Sequence, residues 1–217
     1  MRYGAFLFVF LGSVAGAASN GGRGEDSREL FFEPNYGQTD AAVRYLARAE
    51  GLTLYFGPQG VTAAGRTGAV RLRFESRKAG AGDLEGRDLL PGKSHYHRGG
   101  DMKPIRNVPH HGRLMWREVY PGISAVFYGN RQRVEMDLEL APGADPEQIR
   151  VTFEGAAASL EADGSVAAGP VRLAPPVAFQ GQQEVQSAFT VRGDGIGFEL
   201  GRYDTGKRLR IDRKSVV

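Results

Sequence analysis

Apolar and polar residues alternate along several short stretches of the chain. In Val70-Arg71-Leu72-Arg73-Phe74-Glu75 the apolar residues fall on one face and three charges on the other. Val134-Glu135-Met136-Asp137-Leu138-Glu139-Leu140, Ile149-Arg150-Val151-Thr152-Phe153-Glu154 and Ile196-Gly197-Phe198-Glu199-Leu200 repeat the pattern. A period of two predicts half-buried strands with one wet face, the habit of antiparallel sheets. Asp163-Gly164 and Asp194-Gly195 are hairpin signals, because their turns favour residues that tolerate positive φ.

Helix signals are few. Asp145 is placed to cap a short turn, with Pro146 at its first position and Gln148 as the reciprocal partner. Val43-Arg44-Tyr45-Leu46 reads as a strand that turns at Gly51 into Leu52-Thr53-Leu54-Tyr55-Phe56; a helix from Asp40 to Ala49, capped by Thr39 or Asp40, is the alternative. The stretch from Gly80 to Gly92 lacks clean periodicity and reads as a loop. The prediction is an all-β, antiparallel, sandwich-like domain with at most one or two short helical turns.

Composition changes this picture little. The 217 residues suit one domain with flanking segments, and 31 glycines and 11 prolines, spread singly, punctuate turns. With no cysteine, thiol catalysis and cysteine-based metal sites are excluded. The net charge of +3 is small and the basic residues are scattered, which argues against a nucleic-acid partner. Arg2, an apolar run from Gly4 to Val14 and Ala15-Gly16-Ala17-Ala18 have the form of a secretory signal peptide over residues 1–18. Residues 19–30 then read as a mobile leader, and no stretch of the mature chain is long and apolar enough to span a bilayer.

Candidate chemistry is sparse. His95 and His97 share one strand face at a spacing that suits zinc or copper, with His110-His111 as a third source of ligand. Adjacent histidines point to opposite faces of a strand and no acidic partner stands at ligand spacing, so surface histidines are the simpler reading. Glu135, Asp137 and Glu139 share a face, and Glu135 with Asp137 would be the pair for glycoside hydrolysis. Alternation alone sets such carboxylates near the required separation, so a solvated face accounts for them. No serine sits in a Gly-x-Ser-x-Gly elbow. Tyr96, Trp116, Tyr120, Phe127 and Tyr128 would form a sugar-stacking platform if exposed; Trp116 shares a face with Leu114, which favours the core. Asn35 and Gln38, flanking Gly37, have the character of amides that tie down a loop.

Five stretches in order carry a resemblance. They are Phe32-Glu33-Pro34-Asn35-Tyr36-Gly37-Gln38-Thr39-Asp40, Leu90-Pro91-Gly92-Lys93-Ser94-His95-Tyr96, Val119-Tyr120-Pro121-Gly122-Ile123, Phe127-Tyr128-Gly129-Asn130 and Ala141-Pro142-Gly143-Ala144-Asp145-Pro146. Together they resemble the N-terminal domain of exported bacterial proteins with SBBP-type β-propeller repeats, over residues 31–212. His95 departs from that pattern, where an Asn is usual. The resemblance implies a non-catalytic structural or interaction domain, secreted or at the cell surface, ahead of a C-terminal β-propeller and without a cofactor. A carbohydrate-binding module is the alternative, with a surface glycan or protein as partner. The motif residues Glu33, Pro34, Asn35, Gly37, Gln38, Gly92, Lys93, Ser94, Tyr120, Pro121, Gly122, Tyr128 and Gly129 are expected to be structural. After Ile211-Asp212 the family runs into Pro and the propeller, whereas residues 213–217 here spell what sequencing-adapter DNA encodes, and are expected to be a non-native tail.

Overall fold

A computed structural model describes residues 30–49, 51–75, 83–97, 103–130 and 133–213. The expected signal segment 1–18, the expected leader up to residue 29 and residues 214–217 of the expected tail lie outside the described residues. The strands β1 (Phe32–Pro34), β2 (Tyr45–Ala49), β3 (Leu52–Gly57), β4 (Gly60–Gly65) and β5 (Gly68–Phe74) come first. Two long strands, β6 (Leu84–Tyr96) and β7 (Ile105–Tyr120), lead into β8 (Ile123–Asn130) and β9 (Arg133–Leu140). A 3-10 turn at Pro146–Gln148 precedes β10 (Val151–Glu154). Then follow β11 (Ser159–Leu160), β12 (Val166–Ala168), β13 (Val171–Leu173), β14 (Val177–Gln180), β15 (Gln183–Val185), β16 (Ser187–Arg192), β17 (Gly195–Leu200) and β18 (Leu209–Arg213).

Every pairing is antiparallel. One sheet of 15 strands runs in the order β15-β14-β18-β9-β8-β7-β1-β2-β3-β4-β5-β10-β17-β16, with β6 added against β7; β11, β12 and β13 make a second sheet. The large sheet curls until it is nearly closed like a barrel, and the Ser187 hydroxyl on edge strand β16 donates at 2.9 Å to the carbonyl of Pro176, just before β14 near the other edge. The all-β antiparallel expectation holds. One sheet wrapped on itself supplies both facing layers: Phe56 on β3 meets Phe127 on β8 edge-on at 5.1 Å, and Phe74 on β5 meets Trp116 on β7 at 5.5 Å. Leu54, Leu72, Leu114, Ile123, Leu138 and Ile211 fill the space between. No helix among the described residues is long and apolar enough to cross a membrane.

Local predictions mostly find their elements. The strand reading of Val43–Leu46 is realised only from Tyr45 onward, in β2, which pairs with β3 through Gly51 at φ 80°. At the β16–β17 hairpin the two-residue loop is Gly193-Asp194, so positive φ falls on Gly193 (63°) and not on Gly195. Glycine first in a two-residue loop is the type II′ arrangement. The Asp145 carboxylate caps the 3-10 turn by accepting from the Glu147 N–H at 2.9 Å. Gln148 does not reach back to the cap; it donates to the Pro121 carbonyl at 2.9 Å.

Four expectations are corrected. Gly80–Gly92 is not a continuous loop, because β6 starts at Leu84 and pairs with β7 from Leu84↔Trp116 onward. Leu30 belongs to the core and not to the leader: it is 6% exposed, and a Cβ on Gly129 would come within 2.7 Å of its Cβ. Arg213 pairs with Met136 at the end of β18, so the strand runs one residue into the supposed tail. Finally, Glu135 and Asp137 are not on a solvated face. Each is 7% exposed, and β9 is covered on both sides as far as Leu138.

Candidate functional site

The β6–β7 hairpin is long, irregular and built to bend. Register slips where Pro91-Gly92 bulge out of β6, and again between Ser94 and Tyr96. Asp88, Asn107 and Glu118 are the non-glycine residues with positive φ among the described residues, and all three lie on this hairpin. Bulges increase local twist and re-aim side chains. Here they bring Ser94 and Tyr96 over the outer face of β1, where Glu33 sits.

Glu33 is completely buried. Its Oε2 accepts from the Arg48 guanidinium at 2.8 Å and from the Tyr96 hydroxyl at 2.6 Å, and Arg48 also donates to the Tyr96 oxygen at 3.0 Å. Its Oε1 has no hydrogen-bond partner and lies 3.7 Å from His110 Nε2. That same nitrogen is 2.8 Å from the Ser94 hydroxyl, and Phe31 stacks on the imidazole at 3.6 Å. Burial pushes the Tyr96 hydroxyl up to about 12, helped by the bond to Glu33. Burial also pulls His110 below the usual histidine range; nearby Glu33 opposes the shift and His111 adds to it.

Two glycines make room for the histidines. A Cβ on Gly92 would stand 2.7 Å from His110 Nδ1, and one on Gly86 would stand 2.6 Å from the His111 ring. His111 turns the opposite way, edge-on to Tyr45 at 6.1 Å. Burial lowers its affinity for a proton as well.

A serine, a histidine and a buried glutamate invite comparison with a nucleophilic relay. In such a relay the base takes the nucleophile's proton on one ring nitrogen while the acid holds the other. Here Ser94 and Glu33 both approach Nε2, and Glu33 is held by Arg48 through its other oxygen. The geometry suits a locked polar clamp better than proton relay. Arg48 on the same carboxylate also disfavours a cation between Glu33 and His110.

The other motif residues make similar internal ties. Asn35 donates to the Asp40 carbonyl at 2.7 Å and the Val43 carbonyl at 2.8 Å, and its side-chain oxygen accepts from the Gly37 N–H at 3.0 Å. Gln38 donates to the Pro34 carbonyl at 2.9 Å and accepts from the Tyr36 N–H, closing the loop around Gly37 at φ 106°. The Tyr120 hydroxyl donates to the Arg150 carbonyl and accepts from the Arg150 N–H at 3.1 Å. Pro121-Gly122 turns β7 into β8, with Gly122 at φ 73° against Ala144. The Tyr128 hydroxyl donates to Asp137 at 2.9 Å. Lys93 is exposed at the bulge.

The remaining candidates separate. His95 and His97 are exposed, and His95 Nδ1 accepts from the Asn107 N–H at 3.3 Å. No group of three or more potential metal ligands occurs among the described residues. Trp116, Tyr120 and Phe127 are core, leaving no surface platform from them. Glu135 and Asp137 lie under cover beside Tyr128, and Asp137 faces Asp212 across the β9–β18 ladder. A shallow groove of about 290 Å³ lies next to this region, lined by Arg87, Asp88, Arg113, Met115, Arg117 and Glu139, and also by Val126.

Residues 32–212 match the family described as a domain of unknown function, DUF7948. The chain belongs to that family. Neither the curated proteins nor the solved structures yield a match. The matched DUF7948 region opens at Phe32, on β1 beside Glu33, and closes at Asp212, opposite Asp137. Sequence reasoning named Glu33, Ser94 and Tyr128 but missed Arg48 as a counter-ion. Its one signal is that Arg48 shares a strand face with Leu46, which is 2% exposed.

Proposed function

We propose that this DUF7948 domain is a non-catalytic, exported structural or interaction domain that precedes a β-propeller at the cell surface or outside the cell. The observation that carries the reading is the use of the motif side chains. Asn35, Gln38, Ser94, Tyr120 and Tyr128 direct their polar atoms at the chain's own backbone or at buried or half-buried side chains. Residues that hold a fold look like this, whereas catalytic groups converge on a space that a substrate can enter. The signal-peptide form of residues 1–18 supports export, and the five ordered motifs support the propeller context.

A sequencing read across the locus past codon 212 tests that context. The expected result is an open frame running into propeller repeats; a true stop after Val217 in independent reads sinks the propeller part. Hydrolysis of ester and glycoside substrates by the purified chain tests the other part. No turnover is expected, and activity abolished by Ser94→Ala or Glu135→Gln would overturn the non-catalytic reading.

A further inference from the structure

We infer that the outer end of the β6–β7 arm is a binding surface for an acidic polysaccharide, an inference that rests on the reading of the chain as an exported interaction domain. The charges along the arm divide sharply. Near its root, Arg113 pairs with Asp88 at 3.1 Å, Arg117 lies 3.7 Å from Glu85, and Arg87 also bonds to Glu85. At the outer end Lys93, Lys103 and Arg106 are exposed, together with His95 and His97. No described carboxylate forms an ion pair with any of these five.

Their arrangement follows from the clamp. Ser94 and Tyr96 are drawn to His110 and Glu33, while Lys93, His95 and His97, which alternate with them in sequence, form an exposed row. The row is fixed before any ligand arrives, because Tyr96 ties the strand to a fully buried carboxylate. Preorganisation of this kind lowers the ordering cost of binding.

An exposed row of cations and imidazole N–H donors fits a chain of carboxylates. It fits a single-stranded nucleic acid less well, because no exposed Phe, Tyr or Trp lies in the row to give bases a broad stacking platform. It fits an anionic membrane less well, because the row carries no apolar side chain to enter the acyl layer.

The test uses the whole chain on immobilised alginate, a polyuronate, with neutral dextran, anionic phospholipid vesicles and a single-stranded oligonucleotide beside it. Retention on alginate is expected, weakening as salt rises because the charges are exposed. Lys93→Glu with Arg106→Glu should weaken it by about tenfold or more, since a 1.4 kcal/mol loss shared over two contacts suffices. Arg172→Glu, on the small second sheet, changes charge in the same direction and should leave retention nearly intact. Melting curves establish that the variants are folded. Retention no better than on dextran overturns the inference, as does an equal loss in Arg172→Glu or tighter binding to vesicles or oligonucleotide. None of these outcomes bears on whether a propeller follows, which the sequencing read decides separately.

Discussion

Glu33 and Asp137 are both carboxylates buried on the outer face of the same sheet, and their surroundings could hardly differ more. Glu33 has a guanidinium at 2.8 Å and a tyrosine hydroxyl at 2.6 Å. Asp137 has a tyrosine hydroxyl at 2.9 Å, but the cation paired with it among the described residues, Arg210, stands 3.9 Å away and Asp212 lies directly across the ladder. Burial pushes Asp137 up to about 6; the Tyr128 bond and Arg210 oppose this, and the charges of Asp212 and Glu139 add to it. The lesson concerns counter-ions. A buried carboxylate with a partner locks elements together, and one without a close partner becomes a site where pH acts on the fold.

Removing the Glu33 partner should have the largest effect. Arg48→Met keeps an apolar stem but leaves the carboxylate buried with Tyr96 alone. Breaking a fully buried pair costs about 3–5 kcal/mol, and because Arg48 is itself about half exposed the expected loss is nearer 2–3 kcal/mol. Guanidinium unfolding at neutral pH reads it; a loss below about 0.5 kcal/mol would mean the pair behaves as a surface salt bridge.

Asp137→Asn should move stability the other way. The folded acid is raised above its usual value of 3.8 to about 6. Between those values the folded state holds a proton that the unfolded state has released, so stability falls as pH rises through this window and stays lower above it. Asparagine keeps an acceptor for Tyr128 and carries no charge, so the variant should gain on the order of 1–2 kcal/mol above pH 7 and nothing near pH 4. His110 and His111 work in the opposite sense. Their folded values are lowered by burial, so their contribution is present above the usual histidine range and is lost as pH falls. The Asp137 effect is therefore read as variant minus parent at each pH, and a difference that does not change between pH 4 and 7 refutes it.

The strands were legible where alternation is clean. β5, β9, β10 and β17 lie where the period of two puts them, and Asp145-Pro146 announces its turn. The first half of β6 was not legible, because Gly86 and Pro91-Gly92 interrupt its pattern; both glycines stand where an imidazole ring leaves no room for a Cβ. Alternation also says which face a residue occupies, not whether that face is covered. This is why Glu135 and Asp137 read as solvated. The Glu33 clamp was half legible: its members on β1 and β6 fall in motifs, but Tyr96 lies 63 residues from Glu33 in sequence. Their meeting depends on two bulges and on β7 running between their strands, which no local pattern encodes.

The smallest expected effects compare the two tyrosines. Tyr96→Phe removes one donor from Glu33 but leaves Arg48 on the same oxygen, so a loss of about 1 kcal/mol is expected at neutral pH. Tyr128→Phe removes a donor that favours the ionised form of Asp137. Its cost should therefore be small at pH 4, where Asp137 holds its proton, and grow above pH 6 towards about 1.5 kcal/mol, since a bond to a charged acceptor is the stronger kind. The Asp137 titration, followed by carboxyl-carbon NMR, should shift further upward in Tyr128→Phe and remain where it is in Tyr96→Phe. If the Asp137 titration moves as much in Tyr96→Phe as in Tyr128→Phe, it is not set by its own neighbours, and the distinction between clamp and pH-sensitive site fails.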